Sequence, residues 1–220
     1  MSDTAVSPKL RVLVFAASLR KESMNRKLAA LAARVAQAAG ATVDLASLQE
    51  FDVPLYNGDL EASQGIPQGA YDFQRRLLAS DAFIISSPEY NGSMPGVIKN
   101  LVDWTSRFRP QPFDGRHGLL LSASPSMAGG NRGLWVLRMP FEHLGARIYP
   151  DMFSLAKAHE AFAGDKLADP ALGSRFDKTV QSFLSLAEAA KHYPCMKRAW
   201  VEFLGEPPDA VADRVDPVPS

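Results

Sequence analysis

The chain has 220 residues, 46% of them hydrophobic, and balances 24 Lys plus Arg against 24 Asp plus Glu. That length suits one α/β domain with a full core. Zero net charge excludes a sequence-independent nucleic-acid binder, which needs a basic surplus, and a strongly acidic carrier that docks by charge.

In chain order, "LRVLVFAAS" (10–18) is a short apolar run rich in Val and Leu and reads as a buried strand. Residues 25–40 read as a helix with Leu28, Leu31, Ala32 and Val35 on one face and Gly40 where a helix-ending glycine belongs. "ATVDLASL" (41–48) reads as a second strand, and 49–69 as a long loop full of turn residues. A short helix over 70–80 leads into a third strand, "DAFIISS" (81–87). Pro95 opens a helix over 95–108, where its missing N–H costs nothing. "HGLLLSAS" (117–124) is the fourth strand, 131–145 a helix kinked or ended near Pro140, "ARIYP" (146–150) the fifth strand and 172–193 the last long helix. Strands and helices alternate, so the expected fold is α/β: a five-stranded parallel sheet, doubly wound, with helices on both faces, spanning 9–193. Residues 195–220 form an extension. Trp200, Val201, Phe203 and Leu204 are expected to dock, and the Pro-rich end to be disordered.

One cysteine, Cys195, allows neither an internal disulfide nor a cysteine cluster. His117, His143, His159 and His192 are scattered without ligand spacing, so no metal site is expected. No apolar stretch approaches a membrane span, and the start "MSDTAVSPKL" has no signal region. The expectation is a cytoplasmic protein with neither a membrane nor a nucleic-acid partner.

Open parallel sheets bind ligands past the carboxyl ends of their strands, where the strand order switches direction. Three loops with unusual chemistry should meet there. "SLRKESMN" (18–25) runs into a helix N-terminus, which carries free N–H groups and partial positive charge. Ser18, Ser23 and Asn25 add neutral donors and Arg20 a fork of them, a set suited to a phosphate monoester. Neither a nucleotide P-loop nor a dinucleotide glycine fingerprint occurs. The second loop, "SPEYNGSMPG", is stiffened by Pro88 and Pro95, and Gly92 permits a tight turn and close approach of a ligand. With Tyr90 and Asn91 it suits a flat heterocycle with a polar edge. The third, "SASPSMAGGNRG" (122–133), has Gly129 and Gly130 where a planar ring could lie against the chain. Phosphate at one end and a flat, edge-polar ring at the other point to a mononucleotide cofactor such as FMN.

The motifs "SLRKESMN" and "SPEYNGSMPGVIKNLVDW" resemble the NAD(P)H-dependent FMN reductase family, the flavodoxin-like quinone, chromate and azo-dye reductases. The resemblance implies sheet order 2-1-3-4-5, noncovalent FMN, NADPH or NADH as electron donor, and dimers or tetramers. It implies that Ser18, Arg20, Ser23, Met24 and Asn25 hold the phosphate, and that Pro88, Glu89, Tyr90, Asn91, Gly92 and Ser93 hold the ring system, chiefly through backbone. Ser124, Gly129 and Gly130 would flank the ring. No catalytic side chain is expected, because the flavin carries the chemistry. The expected function is transfer of hydride from nicotinamide to FMN and on to a quinone, azo compound, chromate or free flavin. The alternatives are a one-electron flavodoxin-type carrier and a flavin-binding sensor without nicotinamide activity. Trp104, Phe108 and Phe113 exceed what one helix face needs against a sheet, and are expected at a homodimer interface.

Overall fold

The computed structural model describes residues 9–191. Cys195, His192 and the 195–220 extension lie outside the described residues. Four strands form the body of a parallel sheet: β1 (Arg11–Ala16), β2 (Thr42–Leu45), β3 (Ala82–Ser86) and β4 (His117–Ala123). At the far edge, β5 (Arg147–Ile148) and β6 (Phe153–Leu155) both pair with β4, and the order is β2-β1-β3-β4-β5. The single fifth strand expected over 146–150 is therefore two short ones, interrupted around Pro150, which has no N–H for a ladder.

Alternation along the strands sorts the core into two layers. Val12, Val14, Ile84, Leu119 and Leu121 face α1 (Met24–Ala38) and α6 (Pro170–Lys191). Leu13, Phe15, Phe83, Ile85 and Leu120 face α3 (Gln68–Leu78), α4 (Gly96–Thr105) and α5 (Asn131–His143). Gly40, at φ +93, closes α1 in the left-handed conformation that glycine adopts without strain. Pro95 precedes the first residue of α4, and α5 runs three residues past Pro140.

The expected loop at 49–69 is largely structured. A 3-10 turn (Leu48–Phe51) buries both its end residues, and α2 (Gly58–Gln64) follows, capped by the Asn57 side-chain oxygen Oδ1 accepting from the Asp59 N–H at 2.9 Å. An antiparallel hairpin, β7 (Phe162–Ala163) with β8 (Lys166–Leu167), precedes α6.

This corrects the reading of the aromatic cluster. Trp104 and Phe113 are 0% exposed within the single chain, and Phe108 is buried with them. The Trp104 indole donates to the Pro54 carbonyl at 2.7 Å and packs edge-on to Tyr56. Phe108 meets Tyr71, and Phe113 meets Phe73 and Phe141. The segment before α2 and the start of α3 cover the second face of α4, so these rings need no partner subunit.

Candidate active site

The switch in strand order falls between β1 and β3, and the loops after β1, β3 and β4 open at the same sheet edge. Asn25 joins them. Its amide nitrogen donates to the Ala123 carbonyl at 2.8 Å; its amide oxygen accepts from the Ala123 N–H and the Ser86 hydroxyl, both at 2.9 Å. The buried amide thus ties the start of α1 to the ends of β3 and β4. This corrects the expectation for its side chain: every hydrogen bond it makes holds the scaffold, and its backbone N–H is what it can offer an anion.

At the start of α1, Arg26 and Lys27 are the first N–H groups bonded within the helix, both to the Ser23 carbonyl. The Ser23 side chain makes no capping bond, and no acidic residue lies in the first turn. The Met24 and Asn25 N–H groups, with the Ser18 and Ser23 hydroxyls, form a donor set with no acceptor of its own among the described residues. Arg20 is exposed beside it. A helix start of this kind attracts an anion. Gln49 holds the loop in place by donating to the Leu19 carbonyl at 2.8 Å, and Arg26 reaches Gln49 and Ser47.

After β3, Pro88 is buried and the chain turns back on itself. Tyr90 and Ser93 exchange two backbone hydrogen bonds, N–H to O at 2.9 and 3.0 Å. Asn91 and Gly92 occupy the corner with φ of +53 and +75. An Asn-Gly pair with both residues at positive φ is the signature of a two-residue hairpin turn. A side chain added at Gly92 would meet only open space, so the corner presents bare backbone outward.

Glu89 fastens this hairpin to α5. One carboxylate oxygen accepts from the Gly133 N–H at 3.0 Å, and the other from Arg132 at 3.0 and 2.7 Å. Burial pushes the Glu89 carboxyl up, but the Gly133 and Arg132 bonds outweigh it and leave the group below its ordinary value. Gly133 was not among the expected site residues, nor was Arg132. Both stand 43 or more positions from Glu89, beyond any local pattern.

The third loop corrects the reason expected for its glycines. A Cβ at Gly129 would lie 2.9 Å from the Ala156 nitrogen, and one at Gly130 would run into the Ser122 hydroxyl. Both positions are at positive φ. They need glycine to let the loop pass over β4 and β6. Ser124 caps the same loop, its hydroxyl accepting from the Ser126 N–H at 3.2 Å. The Ser122 hydroxyl beneath Gly130 is buried without a partner.

The fit to FMN rests on two features: an anion-seeking helix start, and a stiff hairpin offering outward backbone groups clamped to the same sheet edge. No group of three His, Cys, Asp or Glu among the described residues is placed to hold a metal ion. No helix among them is long and apolar enough to cross a membrane.

Comparison with known proteins agrees. Residues 10–160 match the family model for NADPH-dependent FMN reductase. A quinone reductase of Escherichia coli is 34% identical over 143 residues, covering 65% of this chain and 75% of that protein. An NAD(P)H-dependent FMN reductase of Pseudomonas aeruginosa is 32% identical over 180 residues, 81% of this chain and 91% of its own. Among solved structures, FerB, a flavoenzyme NAD(P)H:(acceptor) oxidoreductase from Paracoccus denitrificans, superposes with a TM-score of 0.70 at 29% identity, covering 82% of this chain and 98% of that one. An archaeal flavodoxin shares the fold, with a TM-score of 0.51 at 10% identity. A family match across most of the domain, together with the observed sheet order and loop geometry, shows that this chain belongs to the NADPH-dependent FMN reductase family, flavin oxidoreductases that draw electrons from a reduced nicotinamide.

Proposed function

We propose that this chain binds one FMN at the β1/β3 edge and passes hydride from NADPH or NADH, through that flavin, to a small-molecule acceptor. The observation that carries the reading is the open N-terminus of α1, joined by Asn25 to the ends of β3 and β4. The Ser18 and Ser23 hydroxyls, the Met24 and Asn25 N–H groups and Arg20 hold the phosphate. Pro88, Glu89, Tyr90, Asn91, Gly92 and Ser93 wall the ring, and Ser124, Gly129 and Gly130 close its other side.

When bound, FMN supplies the electron chemistry, and the chain supplies position and charge. The backbone N–H groups at the α1 terminus are already fixed by the helix and need no rearrangement to meet one end of the cofactor. The hairpin corner at Asn91 and Gly92 gives fixed N–H donors that favour negative charge on the ring edge and need no reorganisation as it develops. Quinones are the first acceptors to test, since relatives of this chain are named for them; azo compounds, chromate and free flavin follow. Homo-oligomeric assembly in the cytoplasm belongs to the same proposal. The exposed apolar side chains of Leu55, Tyr56 and Val97 are surface that a second copy would cover.

The test is spectroscopic. The purified chain should carry, or take up, yellow flavin, lose that colour when NADPH or NADH is added without oxygen, and regain it with a quinone. A chain that stays colourless through FMN titration, or holds a flavin that neither nicotinamide bleaches, overturns the proposal.

A further inference from the structure

The helix α5 starts badly by its own sequence. Its N-cap is Gly130, in the left-handed conformation, with no side chain to accept from the first-turn N–H groups. Ser, Thr, Asp or Asn normally does this work by accepting from the second or third N–H of the helix. Here the acceptor comes from elsewhere: the Glu89 carboxylate, 44 residues earlier, takes the N–H of Gly133, the third residue of α5.

Three further observations give this contact a direction. The Glu89 side chain is only 9% exposed, whereas its partner Arg132 is 70% exposed and reaches in from solvent. The Arg132 contact brings Nε and Nη2 onto one carboxylate oxygen at 3.0 and 2.7 Å, a charge-assisted bond that leaves the other oxygen to Gly133. Finally, the hairpin lies flush on the helix. A Cβ at Gly133 would sit 3.0 Å from the Glu89 Cβ, 3.1 Å from its Cα and 3.1 Å from the Ser93 carbonyl. The hairpin therefore packs directly on the first turn of α5, and the join carries two opposed charges.

We propose that Glu89 and Arg132 are a positioning pair that seats the ring-holding hairpin on α5 and sets the reduction potential of the flavin it holds. The inference rests on the reading of Pro88 to Ser93 as the wall of the ring. A helix N-terminus carries partial positive charge. The carboxylate and guanidinium cancel each other and leave the helix start its own partial positive charge, so losing either one leaves the other's full charge uncompensated in the wall. Reduction adds negative charge to a flavin ring, so fixed charges in its wall shift the balance between oxidised and reduced forms. Removing the carboxylate alone favours reduction. Removing the guanidinium alone opposes it.

The experiment uses the full chain loaded with FMN, in the variants Glu89→Gln, Arg132→Gln and Glu89→Ala. The glutamine at 89 can still accept from Gly133, so the cap persists while the charge goes. Midpoint potentials are measured by spectroelectrochemistry and FMN affinity by quenching of flavin fluorescence. Glu89→Gln should have a more positive potential than the parent. Arg132→Gln should have a more negative one. Glu89→Ala, which loses cap and charge together, should bind FMN about tenfold more weakly. A pair that only braced the fold would move both glutamine variants the same way, because both lose the ion pair. Shifts of the same sign, no shift in either, or wild-type FMN affinity in Glu89→Ala overturns the inference. Should the parent chain take up no FMN, the functional proposal falls, and this inference with it. Should the parent bind FMN while the variants fail as described, only the inference falls.

Discussion

At Arg20 and Glu89, single side chains decide charge at the site. Arg20 is the exposed cation beside the start of α1, the place read for phosphate. Replacing it with alanine should weaken FMN binding roughly tenfold or more, the loss of one charge-assisted hydrogen bond. A fluorescence titration checks this, and an unchanged dissociation constant removes Arg20 from the site. Glu89 makes a prediction about acid. Its carboxyl lies below its ordinary 4.5 because Gly133 and Arg132 favour the charged form. A depressed folded-state value gives stability that is present above 4.5 and is lost as pH falls through the folded value. The melting temperature of the parent should therefore fall on acidification below that point, and Glu89→Gln should flatten that part of the curve. A variant with the same acid dependence as the parent would show that Glu89 contributes none of it. Both residues stand out in the sequence as polar groups in unusual loops. Only the structure shows which partners Glu89 takes, since a bond spanning 44 positions leaves no local periodicity.

The elements themselves differ in how openly the sequence declares them. Strands β1, β3 and β4 are continuous apolar runs and were legible because both faces are covered. Helix α2 was not, for a physical reason: it buries no residue, so it has no apolar stripe. What holds it is mostly polar, the Asn57 cap and the Glu61 carboxylate bonded to Arg107 at 2.9 Å and to the Tyr56 hydroxyl, with the half-buried Leu60 packed against the Trp104 and Phe108 cluster. The hairpin at Asn91 and Gly92 was legible as a tight turn, but its mirror-image geometry needed the two positive φ values. Valine at Gly92 has open space yet the wrong backbone. Gly92→Val should therefore deform the turn and yield mostly flavin-free protein; full flavin content after purification would refute the assignment of this loop. Asn25 was legible as a donor, and the structure gave it a different task. Asn25→Leu leaves the Ala123 N–H and carbonyl and the Ser86 hydroxyl unpaired in the interior. The cost should be about 3 kcal/mol, seen as a lower melting temperature of the flavin-free protein. An unchanged melt would mean the clamp contributes nothing.

For the whole molecule, a parallel sheet covered on both faces followed from alternation of strands and helices and its order from the family resemblance, whereas the aromatic surplus on α4 was misassigned. The error has one source: residues 49–69 were read as loop, which left the second face of α4 without a cover. Trp104→Ala should now lower unfolding stability by about 3–5 kcal/mol, the usual loss for a buried tryptophan. It should leave molecular mass by light scattering as in the parent. A change in mass without a loss of stability would return Trp104 to a subunit interface.

The split of the outermost strand into β5 and β6 bears on how this chain behaves among its own copies. An unbroken edge strand offers a row of unpaired N–H and carbonyl groups on which another chain can template a growing ribbon. Here one border of the sheet has two and three residues on either side of Pro150, and the other border, β2, has four, with Asp44 held by Arg76 at 2.6 and 2.8 Å. Neither border gives a visiting strand a run long enough to nucleate on. Among the described residues the sheet has no long open border, which steers contacts between copies toward side chains and helices.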